Sequence, residues 1–501
     1  MNIFYKYVNE LPKLVWVAEI EKNRVNVLHG ADVECNDNFF VEGAWNGDFH
    51  KGDFCESNWF CGTGGILNDR GICFSTPSHI TYGLYYYIDQ KIYVSNSLYC
   101  LLSYIDATLD SEYEGYEVDF NSIRKGINNY KNKIRIKKDN KLLNVNVLFY
   151  SYLFVYDNGE YEVKKKEKEI DFVDFSDYYN RLFDAMRGMV RNAKDVQRKK
   201  QYGLVTTISR GYDAPCCAVI ARKLGATKAC TFSPVGKHSN DCGEAIAKKL
   251  GYENIFLRDP DDYKNNDNML EAEVVCSGEL GSEISMASFY DVFAENIVFT
   301  GERGDSVWDK NQLSYANNEY MFQSRDASLG SSERRLWVNY ISCPLPLFGA
   351  TAWPSICKIS NGEEMKRWTL NNEYDRPIPR RIIEEAGIGR WDFGIKKYGA
   401  GFSYSYDWKN RIMNRMSLKS ARDFEEYLKG NKKQHLFSCI KFYIKVKNVY
   451  LNRMGLKMFK IGDYSEINNP TVVRYLIPWA GEQMIKRYNC AFEKVNTNNN
   501  F

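Results

Sequence analysis

The residues best suited to chemistry stand in one short run, Ser209-Arg210-Gly211-Tyr212-Asp213-Ala214, inside LVTTISRGYDAP. An apolar strand leads into Ser209, a sharp turn holds Gly211, and a helix is expected from about Ala214. The start of a helix leaves backbone N–H groups without internal acceptors and carries the positive end of the dipole, so it suits a polyphosphate. Ser209 adds a hydroxyl donor, Gly211 lets the main chain approach a phosphate closely, and Asp213 can hold magnesium that bridges phosphate oxygens. Taken alone, the same spacing also serves as a plain turn with a helix cap.

A second acidic turn follows the strand ENIVFT. In GERGDSVWD, Glu302 and Asp305 sit between and beside Gly301 and Gly304, with Asp309 close behind. The plainer reading of this turn is a capped helix start. Farther on, YDRPIPRRIIEEAGIGRWDFGIKKYG gathers Arg376, Arg380, Arg381, Arg390, Lys396 and Lys397. A cation from such a segment would stabilise charge developing on a leaving pyrophosphate, while most of the segment is expected at the surface.

The first loop resembles the pyrophosphatase loop, S-G-G-x-D-S, of the asparagine synthetase-like N-type ATP pyrophosphatases (PP-loop family). Arg210 replaces the first loop glycine and Ala214 the final serine. The likeness continues in order through TFSP, where Phe232 and Ser233 stand where such families hold adenine, to Asp241 at the head of DCGEAIAKKLG. It then reaches TGERGDSVWD, which resembles the family's SGEGSDELF loop. The resemblance implies ATP and Mg2+ as cofactors, held by Ser209 to Ala214, Phe232, Ser233, Asp241, Gly301 and Gly304. Asp213 and Asp305 would take the metal, and Glu302 would face the substrate or its attacking amine. Lys396 or Lys397 would neutralise the adenylate transition state. Arg210 is left with two outcomes, a guanidinium offered to phosphate or carboxylate, or one turned to solvent.

The activity so implied is adenylation of a carboxylate on a small molecule, peptide or protein, release of pyrophosphate, and amide formation with ammonia or an amine. Two other readings stay open. One is chemistry like that of the 7-cyano-7-deazaguanine synthases, whose cysteine-rich zinc site is absent from this sequence. The other is a nucleotide-sensing binding protein. Glutamine-dependent asparagine synthetases carry an N-terminal nucleophile domain that begins with cysteine after Met1; position 2 here is Asn2, so glutaminase activity is not expected. EGAWNGDF and KIYVSNSLYCLL still resemble that domain's β-sandwich text, which suggests a remnant kept for packing or for docking a protein partner.

Around these loops the elements divide near residue 170. Residues 1–170 read as short alternating strands, with turn signals at Trp45-Asn46-Gly47-Asp48 and Tyr156-Asp157-Asn158-Gly159. Residues 171–501 open with an amphipathic helix that aligns Phe175, Tyr179, Leu182, Phe183, Met186 and Met189. A strand–helix alternation follows, with Gly225 and Gly251 closing its helices, and then a mainly helical C-terminal part. The expected class is α/β: a β-rich, Ntn-hydrolase-like remnant, then a parallel-sheet domain of the adenine nucleotide alpha hydrolase-like (PP-loop) kind.

Composition narrows the classes further. At 501 residues the chain exceeds one ordinary core. Its 67 Lys and Arg against 64 Asp and Glu provide no broad positive field, so no nucleic-acid partner is expected. No stretch reaches the length of a membrane helix, and MNIFYKYVNELPK lacks the layout of a secretory signal, so a cytoplasmic location and no membrane partner are expected. Fourteen scattered cysteines read as reduced thiols.

Overall fold

The computed structural model describes residues 1–501 except 235–240, 267, 282, 316–328, 397–408, 431–445, 449, 452, 453, 457–471 and 498–501. It is a mixed α/β protein with three principal sheets. Two of them face each other in the N-terminal part. The eight-stranded sheet runs, in spatial order, Asn2–Tyr7, Arg24–His29, Trp16–Glu21, Ile92–Ser95, Leu84–Ile88, Lys141–Leu148, Lys133–Lys138 and Thr108–Leu109. The six-stranded sheet runs Tyr161–Lys165, Ser151–Tyr156, Gly71–Ser75, Phe60–Asn68, Phe39–Trp45 and Glu34–Cys35. Alternating apolar residues from both, among them Trp16, Val27, Phe40, Phe74, Leu84 and Leu153, fill the space between them.

The Tyr156–Gly159 signal is a hairpin, joining Ser151–Tyr156 to its antiparallel neighbour Tyr161–Lys165. The Asn46-Gly47 signal also lies between antiparallel neighbours, Phe39–Trp45 and Phe60–Asn68, but not in a tight turn. There the chain makes an excursion through two short 3-10 turns, Phe49–Lys51 and Asp53–Cys55, before Phe60–Asn68 pairs back. The reason is aromatic: Phe49 and Phe54 pack on Trp45 at ring separations of 5.9 and 5.6 Å, and a two-residue turn would leave those rings in water.

The third sheet is all parallel, in the order Asn254–Arg258, Lys228–Phe232, Gly203–Thr207, Asn296–Thr300 and Ile341–Pro344. Its inner strands are buried on both faces, which is why LVT, ACT and NIVF read as continuous apolar runs. Leu204, Ala229 and Phe299 face the helices Phe175–Ala193 and Asp213–Lys223, while Val205, Cys230 and Val298 face Phe289, Phe293 and Tyr340. The long helix begins with the Asp174 carboxylate accepting from the Asp177 N–H, and it buries Phe175, Leu182, Met186 and Met189 together with Tyr178. Gly225 (φ +96°) and Gly251 (φ +76°) lie past their helices in the left-handed region, as their positions in the sequence require.

The segment MASFYDVFAE winds as a 3-10 stretch, Ile284–Phe289, that passes into a single α turn, Tyr290–Phe293. The C-terminal helix, Leu476–Thr497, returns to pack against Leu98–Tyr104 of the N-terminal part. One apolar cluster therefore extends from Val8 to Ala491 across residue 170. Among the described residues no helix is long and apolar enough to cross a membrane.

Candidate functional site

Gly203–Thr207 is the central strand of the parallel sheet. The chain leaves it toward one edge, through Lys228–Phe232 and Asn254–Arg258, and comes back on its other side as Asn296–Thr300. The connections that follow the strands Gly203–Thr207 and Asn296–Thr300 thus diverge at a topological switch point, where open α/β sheets form their ligand crevices. Residues 209–213 and 301–305 are those two connections, and they touch. A Cβ on Gly304 would fall 2.4 Å from Asp213 Cγ, and one on Gly301 would fall 2.7 Å from the Ala214 nitrogen.

The glycines of the second loop therefore serve close approach. The left-handed conformation in that loop belongs instead to Arg303 (φ +71°), a strained setting for a side-chain-bearing residue. Gly304→Ala should leave the protein folded at a cost of about 1–3 kcal/mol from overpacking while displacing Asp213, as urea unfolding would show.

Within the first loop, Ser209 Oγ accepts from the Gly211 N–H at 3.2 Å, and Asp241 Oδ1 accepts from the Arg210 N–H at 3.1 Å. Ser209 also bridges Cys242 in antiparallel fashion, and Gly243 packs against the Ile208–Ser209 backbone so tightly that a Cβ would clash at 2.8 Å. The helix Asp213–Lys223 starts at Tyr212 without a side-chain cap. Its first internal bond runs from the Cys216 N–H to the Tyr212 carbonyl at 3.1 Å, and Pro215 has no N–H. The first turn so built, with an acid at its first position, leaves main-chain N–H groups without acceptors inside the helix.

Two cations of the basic segment, Arg376 and Arg380, are buried, while Arg381 and Arg390 are partly buried. Arg376, 3% exposed, pairs with the Asp213 carboxylate, and the charge of Asp305 acts on it as well. Arg380, fully buried, donates to the Tyr212 hydroxyl at 2.5 Å and to the Arg390 carbonyl at 3.0 Å. Tyr212 turns its ring inward against Tyr374 (4.8 Å) and Phe393 (5.9 Å), so its side chain anchors the loop from behind. Arg210 meets neither expectation fully. Its Nε donates to the Asp392 carbonyl at 3.3 Å, and the Gly394 N–H donates to the Arg210 carbonyl at 2.8 Å, so residues 392–394 strap the loop. Lys396 is exposed two residues beyond that strap; Lys397 lies outside the described residues.

Phe232 packs on Phe289 at 5.2 Å, and the Ser233 N–H donates to the Arg258 carbonyl at 2.9 Å. Beyond them a cleft of about 460 Å³ is lined by Arg258, Asp262, Tyr263, Ser288 and Asp291 among others. Ala214 and Asp309 are partly buried.

The Glu302 carboxyl meets that of Glu283. Burial first, and then the Glu283 carboxyl with which it shares a hydrogen bond, hold the Glu302 carboxyl well above its ordinary range, against the pull of Arg334 and Arg303. Two buried carboxyls in contact cannot both ionise, so the pair retains a proton. Because the folded state keeps a proton that the unfolded chain has lost, this pair's contribution to stability is full at acid pH and disappears as pH rises through the raised pKa. Glu302→Gln, which mimics the protonated form, should flatten the fall in Tm as pH rises above the ordinary carboxyl range, as thermal melts at stepped pH would show.

Glu283 has no signature in the sequence, since only the tertiary fold brings it to Glu302. Tyr374 was equally silent; its hydroxyl lies 3.2 Å from where a Gly211 Cβ would stand. No group of three or more metal-ligating side chains occurs among the described residues. Compared with known proteins, the chain matches no family model and no curated protein.

Proposed function

We propose that the chain is an ATP-dependent ligase of the asparagine synthetase-like, PP-loop kind, which adenylates a carboxylate, releases pyrophosphate and forms an amide. The observation that carries this reading is the meeting of two loops, distant in sequence, at the switch point of a parallel sheet. They bring Asp213, Asp305, a helix start and Arg376 to one place. Two carboxylates complemented by phosphate oxygens are a donor set that suits magnesium, and the guanidinium on Asp213 marks a position that demands positive charge. Magnesium bound there would neutralise charge on the phosphate oxygens.

In this reading the amides at the start of helix Asp213–Lys223 and the Ser209 hydroxyl orient the triphosphate, and Arg376 moves between Asp213 and the leaving pyrophosphate. The substrate carboxylate oxygen attacks the α-phosphorus and the bond to the β-phosphate oxygen breaks. An amine then attacks the acyl carbon, AMP leaves, and the amine's proton passes to a base. Lys396 supplies charge near the phosphates, with Lys397 beside it in sequence. The cleft beyond Phe232 and Ser233 supports a place for the acid or the amine.

The two apposed sheets of residues 1–170 support the Ntn-hydrolase-like remnant, with Asn2 where the nucleophile would stand. Exchange of labelled pyrophosphate into ATP, run against a panel of carboxylic acids, tests the proposal; release of ADP and phosphate alone would sink it. A nucleotide sensor is the second reading, favoured by the Arg376 guanidinium that already pairs with Asp213 Oδ2. A sensor would bind ATP with no exchange under any acid.

A further inference from the structure

The N-terminal sandwich holds a group of side chains that the ATP chemistry does not use. Lys166, just past the strand Tyr161–Lys165, is 8% exposed. Its Nζ donates to Ser75 Oγ at 2.9 Å and lies 4.4 Å from the centre of the Tyr152 ring and 5.8 Å from that of Phe60. Among the described residues no carboxylate pairs with it. Burial pulls its pKa down to about 8, while the thiols of Cys55 and Cys73 pull the other way. A buried ammonium without a carboxylate calls for some other anion, and those two thiols are the neighbours able to become one.

Their Sγ atoms are 3.8 Å apart. Cys55 is partly exposed at the end of the 3-10 turn Asp53–Cys55, whereas Cys73 is 4% exposed on the strand Gly71–Ser75. The hydrogen bond with Cys55, and then burial, hold the Cys73 thiol far above its ordinary range. Access and charge thus divide the work: Cys55 meets the solvent, Cys73 waits behind it, and Lys166 offsets the negative charge.

We propose that Cys55 and Cys73 form an oxidation-sensitive pair that a peroxide converts to a disulfide, with Lys166 as the positioning cation. The Cys55 sulfur, its proton passed to the Lys166 amine or to water, attacks the peroxide O–O bond. That bond breaks, hydroxide leaves and takes up a proton, and Cys55 becomes a sulfenic acid. The Cys73 sulfur, losing its proton, then attacks the Cys55 sulfur; the S–O bond breaks and a second water leaves. Two electrons pass from the sulfurs to the peroxide. The new bond would fasten the 46–55 excursion to the sheet. That excursion also touches the helix Phe175–Ala193, where Asn192 Nδ2 donates to the Gly47 carbonyl at 3.1 Å.

The test is stoichiometric hydrogen peroxide on the native chain, followed by alkylation in denaturant, intact mass and peptide mapping. The expected product is two hydrogens lighter, carries a Cys55–Cys73 linked peptide, and forms about tenfold faster than exposed Cys490 is oxidised. Cys73→Ser should stop at a Cys55 sulfenic acid that dimedone traps. Lys166→Met should slow the link about tenfold and Lys166→Arg should restore it. Oxidation of Cys490 with no linked pair overturns the proposal, as does sulfinic acid at Cys55 of the intact chain. Equal rates in Lys166→Met and the unaltered chain overturn the part given to Lys166. If Lys166→Met does not fold, the rate against Cys490 in the unaltered chain decides instead, and a link no faster than Cys490 oxidation refutes that part.

Discussion

Under the proposed function, Asp213→Asn should weaken Mg-ATP binding by about a hundredfold in calorimetry and reduce pyrophosphate–ATP exchange by at least about a thousandfold. The side chain keeps its shape but loses the charge that both a metal and Arg376 require. Stability should fall as well, since the Arg376 side chain is only 4% exposed and would be left buried without its carboxylate, at a cost of about 3–5 kcal/mol. The two losses can be separated. Arg376→Met added to Asp213→Asn removes the stranded guanidinium, so the double variant should recover most of the stability and none of the exchange. If the double variant recovered exchange along with stability, Asp213 would be a structural residue and the two-loop site would lose its chemical meaning.

What the sequence disclosed follows a physical division. The parallel strands were legible because burial on both faces demands unbroken apolar runs, and the helix ends were legible because Gly225 and Gly251 take backbone angles that other residues avoid. The two loops were legible because each sits directly after such a strand. Their contact follows from strand order, which no local pattern encodes, and the same holds for the Glu302–Glu283 pair. The strand Ile341–Pro344 has no local signature, because four residues ending in Cys-Pro show no periodicity and it pairs only at the sheet's edge. Arg376 and Arg380 read as surface charge because charge suggests solvent; Asp213 and the Tyr212 hydroxyl are the partners that make their burial affordable. Asn46-Gly47 marked the reversal between antiparallel strands correctly, but not its length, because the turn code is local whereas the aromatic packing on Trp45 that lengthens the connection is not.

The largest effect on stability alone is expected at Glu42 and Arg335, which join the N-terminal sandwich to the helix Ser331–Val338. Arg335 donates from both terminal nitrogens to the Glu42 carboxylate at 2.6 and 2.7 Å, and the side chains are 1% and 0% exposed. Thr63 Oγ1 donates to Glu42 Oε1 at 2.7 Å, and the guanidinium lies 3.7 Å from the centre of the Tyr82 ring. Removing one partner strands the other charge in a dry interior, so Glu42→Gln and Arg335→Met should each cost about 3–5 kcal/mol in urea unfolding. Removing both should cost far less than the sum, because the desolvation of two ions is relieved at once. Arg335 Nε finds no acceptor among the described residues, so the pair itself is incompletely satisfied, and an apolar replacement of matched volume should equal or exceed it in stability. Neither residue lies at the two loops, and ATP binding per folded molecule should not change. Single substitutions costing less than about 1 kcal/mol would mean that water reaches this pair in solution, and the two parts of the chain would then be held by apolar contact alone.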